Sequence, residues 1–108
     1  MTNIKIFIMG NIRRSRGYAY EMSIVKRFQA KKGGDARRLG GSSTGLPDVM
    51  ATIHIENTHK IYSCEAKSSR YDLCFIPIDQ IQRCYAILGM FAAAYNEMWV
   101  MFAFGFKN

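Results

Sequence analysis

The sequence predicts a single α/β domain with the element order α-β-β-β-α-β. Apolar side chains recur at helical spacing in two stretches, alternate with polar ones between positions 48 and 67, and run unbroken over residues 98–104. At 108 residues, 49% of them apolar, the chain has enough material for one core and too little for two.

Each element has its own signal. Tyr18, Met22, Val25 and Phe28 mark one face of a first helix over 18–29, with Gly33 and Gly34 ending it. Residues 36–39 read as a short strand and 40–45, rich in Gly and Ser, as a flexible loop. Val49, Ala51, Ile53 and Ile55 alternate with Asp48, Met50, Thr52, His54 and Glu56, and a second alternating segment over 59–67 follows Asn57-Thr58. The pair reads as a β-hairpin turning on Asn57 and Thr58. Residues 68–75 are polar and read as loop. Pro77 suits the first turn of a second helix, whose face Ile78, Ile81, Tyr85, Leu88, Ala92 and Tyr95 extends to about residue 95. The run 98–104 predicts a strand buried on both faces.

Fifteen Lys and Arg against eight Asp and Glu leave a net charge of +7 and a pI near 9.6. The excess is concentrated in residues 1–40, where ten basic side chains face only Glu21 and Asp35. Clustering of this kind points to a polyanionic partner. Cys64, Cys74 and Cys84 form no CxxC pair and are odd in number, so they read as small buried hydrophobes of a reducing, cytoplasmic protein. The apolar stretch 4–9 is broken by Lys5 and lacks a small-residue cleavage site, so no signal peptide is expected. The apolar run 84–95 is shorter than the ~18 residues of a spanning helix, so no membrane span is expected.

The hairpin carries the chemistry. With Asn57 and Thr58 as the turn, Asp48 lies opposite Lys67 and Met50 opposite Glu65, so that Asp48, Glu65 and Lys67 share one face. Same-face diagonal neighbours are roughly 7–8 Å apart, close enough for two carboxylates to reach one cation. Like charges so close are costly unless something compensates them, and oxygen ligands with room for water suit Mg²⁺. An ordinary ion pair between Lys67 and one of the carboxylates explains the hairpin equally well.

The surrounding residues, Gly45-Leu46-Pro47-Asp48, a strand, a turn and then Glu65-Ala66-Lys67, resemble the PD-(D/E)xK nuclease motif. Within that superfamily the chain is similar to archaeal Holliday-junction resolvases: a basic start, Glu21 on the first helix, Gly41-Ser42-Ser43 before Pro47-Asp48, and Gln80 at the head of the second helix. The resemblance implies a restriction-endonuclease-like core, a central mixed sheet flanked by helices. It implies that Asp48, Glu65 and Glu21 hold Mg²⁺, with Mn²⁺ as an alternative ion. Lys67 would position or help deprotonate the attacking water, Ser43 (or Ser42) would lie near the scissile phosphate, and Gln80 near the active site. Arg13, Arg14, Arg16, Arg37, Arg38 and Ser42 are the candidates for DNA backbone contact, since an arginine fork matches phosphate oxygens. The partner implied is branched double-stranded DNA. Met22 stands where the family often has Arg, and residues 1–12, with no counterpart, read as a flexible or accessory segment.

Two other readings are carried alongside: a repair or restriction nuclease of the same superfamily, and a non-catalytic basic nucleic-acid-binding protein. His54 and His59 flank a turn without a third ligand and read as surface residues. The apolar density near the second helix and the last strand exceeds what so small a domain can bury, which predicts a homodimer through that region.

Overall fold

The computed structural model describes residues 4–13, 17–40, 45–69 and 75–106. It is an α/β fold: β1 (Ile4–Arg13), α1 (Gly17–Gln29), β2 (Gly34–Arg38), β3 (Val49–Ile55), β4 (Thr58–Ser69), α2 (Ile78–Gly89) and β5 (Glu97–Phe106). The five strands form one mixed sheet in the order β1-β5-β4-β3-β2. The β1–β5 and β4–β5 pairs are parallel, and β3 runs antiparallel to both of its neighbours. A parallel neighbour cannot be reached by a tight turn, so α2 is the crossover between β4 and β5.

Residues 4–13 are not a loose leader. They form an edge strand, with Ile4 beside Met98 and Phe7 beside Met101. The apolar run that sequence patterning leaves unassigned finds its partner in β5, a pairing some ninety residues away that local pattern cannot reveal.

One helix covers part of each face. On α1, Tyr20, Ile24, Val25 and Phe28 are buried against Val49, Ala51, Ile53, Cys64, Met101 and Ala103. The buried stripe is thus rotated from the expected one: Tyr20 and Ile24 point inward, whereas Tyr18 is exposed and lies under the Arg38 guanidinium. On the other face Cys84 and Leu88 of α2 pack on Ile61, Met98 and Val100. Removing a side chain such as Leu88 from water contributes about 1.5–3 kcal/mol. The second helix stops at Gly89 rather than near residue 95, because the following turns close with i−3 bonds, Met90 N–H to Ile87 O and Phe91 N–H to Leu88 O. Strand β5 is buried on both faces, as its continuous apolar run predicts.

Gly33 has φ +73°, and a Cβ there would lie 2.0 Å from the carbonyl oxygen of His54, which anchors the α1–β2 connection against β3 through the His54 N–H to Gly33 O bond of 2.9 Å. No described helix is long and apolar enough to cross a membrane.

Candidate active site

The hairpin turns on Glu56 and Asn57, not on Asn57 and Thr58. Val49 pairs with Cys64, Ala51 with Tyr62 and Ile55 with Thr58, and Glu56 takes the left-handed φ of 53°. The register is two residues off the expected one. A slip of two leaves every side chain on its face, whereas a slip of one would invert them all. Burial explains the choice, since Val49 and Cys64 meet in the core beneath α1, both fully buried.

Continuing this register brings Asp48 alongside Glu65 instead of Lys67. Both carboxylates are buried in the described structure, Glu65 completely. The Asp48 N–H donates to the Cys64 carbonyl at 3.0 Å, and Asp48 Oδ2 accepts from the Ala66 N–H at 2.8 Å. Asp48 therefore stitches the entry of β3 to β4 and aims its other oxygen at the face covered by α2. Lys67, two residues beyond Glu65, returns to the same face, and its charge favours the ionised form of Glu65. This group sits at the carboxyl end of β4, the end of a parallel pair where α/β proteins form ligand crevices.

The cation between the carboxylates is Arg83. From α2, its Nη2 lies 2.8 Å from Glu65 Oε2, 2.9 Å from Glu65 Oε1 and 3.9 Å from Asp48 Oδ1. Nothing in the linear sequence singles out Arg83. Its position one turn after Gln80 on the same helical face comes nearest to a signal, but the partner strand could not be read from spacing. Burial pushes the Glu65 carboxyl above the ordinary range, the Arg83 bonds pull it down, and the Asp48 charge pushes it up again; the net direction is upward. Burial also disfavours the Arg83 cation, but the Glu65 carboxylate outweighs this and holds it protonated more firmly than usual.

Glu21 does not join Asp48 and Glu65. Its Oε1 accepts from Arg38 Nε at 2.6 Å on the α1 side of the sheet, since Arg38 pairs with Val49 and shares its face. Burial raises the Glu21 pKa, Arg38 opposes the rise, and the Asp48 charge adds to it, so the two acids sense one another without converging. Among the described residues no three His, Cys, Asp or Glu side chains form a metal-holding group. Asp48 and Glu65 nonetheless fit a small hard cation in part, since both reach one positive centre through oxygen alone. On α2, one turn before Arg83, Gln80 Oε1 is buried without a hydrogen-bond partner among the described residues.

The proposed DNA contacts divide. Arg37 bonds Asp35 and the Ala36 carbonyl on an exposed edge strand, while Arg38, on the opposite face, is taken up by Glu21 and Tyr18. The side chain of Arg13, together with Arg14, Arg16, Ser42, Ser43 and Cys74, lies outside the described residues. Cys64 and Cys84 are buried free thiols, and burial pushes Cys84 up to about 12, so neither is a nucleophile at neutral pH. His54 and His59 face one another across the hairpin with their Nδ1 atoms 2.8 Å apart. No family model, curated protein or solved structure matches this chain.

Proposed function

We propose that the chain is a Mg²⁺-dependent DNA endonuclease of restriction-endonuclease-like core, acting on branched DNA such as four-way junctions and working as a homodimer. The observation that carries this reading is the pairing of Asp48 with Glu65 at the carboxyl end of β4, both within reach of one cationic centre and followed by Lys67 on the same face. The element order α1-β2-β3-β4-α2-β5 and the basic excess support it.

In this mechanism Asp48 and Glu65 would hold the ion, with Gln80 one turn before Arg83 on α2 at the margin, and Glu21 would lend negative charge from the α1 side. Bound there, Mg²⁺ would supply a more acidic water and stabilise the leaving oxygen. Lys67 would orient the attacking water and offset charge accumulating on the phosphate. Arg83 holds the Glu65 carboxylate in its orientation from α2. Recognition by phosphate and by DNA shape leaves little sequence preference, since no described helix carries the features of a major-groove reader.

Arg83 itself favours a second reading, in which the two acids are already neutralised by a resident guanidinium and the chain is a basic nucleic-acid binder. Incubating the protein with an end-labelled four-way junction, with and without Mg²⁺, separates the two. The nuclease reading expects metal-dependent paired nicks that Asp48→Asn or Lys67→Ala abolishes while junction binding survives. Tight junction binding with no cutting in Mg²⁺ or Mn²⁺, unaltered by Asp48→Asn, leaves the binder.

A further inference from the structure

The helices cover the sheet unevenly: α1 packs on β2, β3, β4 and on Met101 and Ala103 of β5, leaving the same face less covered at Trp99 near the start of β5 and at Phe7 of β1. The open part is a groove of about 720 Å³, within the range of small-ligand sites. Its walls are aromatic. Tyr62 and Trp99 lie nearly parallel with ring centres 6.0 Å apart, Phe7 meets Trp99 edge-on at 6.5 Å, and Phe28 closes on Tyr62 at 4.9 Å. Phe7 remains 44% exposed although it is a large apolar residue. The indole Nε1–H of Trp99 is buried without an acceptor among the described residues, a donor that a ligand atom would satisfy.

The rim is basic. Arg27, Lys31 and Lys60 line the groove and Lys5 lies over the Trp99 ring; Glu97, which pairs with Lys5 and Lys60, is the acid that faces them. A planar apolar ring suits the floor and a negative charge suits the rim. An acidic peptide would match the rim but leave the aromatic floor without a flat partner, whereas a nucleotide matches both.

We propose that this groove binds an unpaired nucleotide of single-stranded DNA, the base against Phe7 and Trp99 and the phosphate toward Lys31. It lies at the opposite end of β4 and β5, and on the opposite face, from Asp48 and Glu65, so binding here requires neither metal nor cleavage. Together with the nuclease reading it narrows the substrate to branched DNA that carries unpaired nucleotides.

Trp99 is the chain's single tryptophan, which makes its emission a local reporter. Titrating the full chain with a dT12 oligonucleotide in EDTA should quench that emission. Phe7→Ala should weaken binding about tenfold, the range of one lost base stack. Lys31→Glu, at an exposed position and therefore neutral for folding, should weaken it and reduce its salt dependence. Inorganic polyphosphate should bind without quenching, and blunt duplex should compete poorly. The proposal is overturned if dT12 leaves Trp99 emission unchanged, if folded Phe7→Ala and Lys31→Glu bind as the wild type does, or if Phe7→Ala instead dissociates a dimer, which would make the groove a contact between two copies. These outcomes are independent of whether the junction is cut.

Discussion

Arg83–Glu65 and Arg38–Glu21 join the same two kinds of side chain near the same end of the sheet, on opposite faces. The first is closed off, with side chains 11% and 0% exposed and two oxygens gripped by one guanidinium nitrogen; the second is at the rim, 32% and 12% exposed, with a single contact. Burial makes the difference. Water screens the rim pair and would solvate either partner left alone, whereas Glu65 has no solvent to turn to if Arg83 leaves. The buried pair is thus a structural commitment as well as the centre of the candidate site, and any cation that binds there must compete with a guanidinium.

Cutting that commitment gives the largest effect. Arg83→Met strands Glu65 beside Asp48 and should cost about 3–5 kcal/mol in urea unfolding. Adding Glu65→Leu should recover most of the loss, because a buried pair replaced whole by apolar groups is often neutral. A loss under about 1 kcal/mol for Arg83→Met would show that Glu65 finds water after all.

The pH dependence sharpens the same contrast. The Glu65 pKa is raised in the fold, so the folded state binds its proton more tightly than the unfolded chain does. The associated stability is fully present below the ordinary glutamate value of 4.5 and is lost as pH rises through the folded pKa. In calorimetric melts from pH 4 to 7, wild type should therefore lose stability relative to Glu65→Gln, and the Arg83→Met deficit should shrink toward pH 4. Divalent-ion affinity, measured by calorimetric titration, should weaken with acidity starting at a higher pH than for exposed carboxylates. The smallest effect belongs to the rim: Arg38→Met should cost at most about 1 kcal/mol, and a larger loss would mean that the stack on Tyr18 or the proximity to Asp48 outweighs the ion pair.

The interior of the sheet was legible from local pattern. Alternation over 49–67 identified both hairpin strands and the shared face of Asp48 and Glu65, and the unbroken apolar run at the end of the chain identified β5. The turn was misread because Asn57-Thr58 looks more turn-like than Glu56-Asn57, while the register was decided by which pairs fit beneath α1. Strand β1 escaped notice because its strand partner among the described residues is β5, some ninety residues away. Arg83 escaped because a helical arginine has no sequence signature that distinguishes a solvent-facing role from a buried ion pair.

Periodicity and charge order along the chain are local properties, and they determined the element types, the two-sided burial of β5, the basic first 40 residues and the common side of the two hairpin acids. Which strands neighbour one another, which cation stands between Asp48 and Glu65, why Glu21 turns to Arg38, and where aromatic rings are left uncovered were decided only by tertiary structure. Each depends on contacts between residues far apart in sequence, and the free energy of those contacts comes from burial, which no local pattern records.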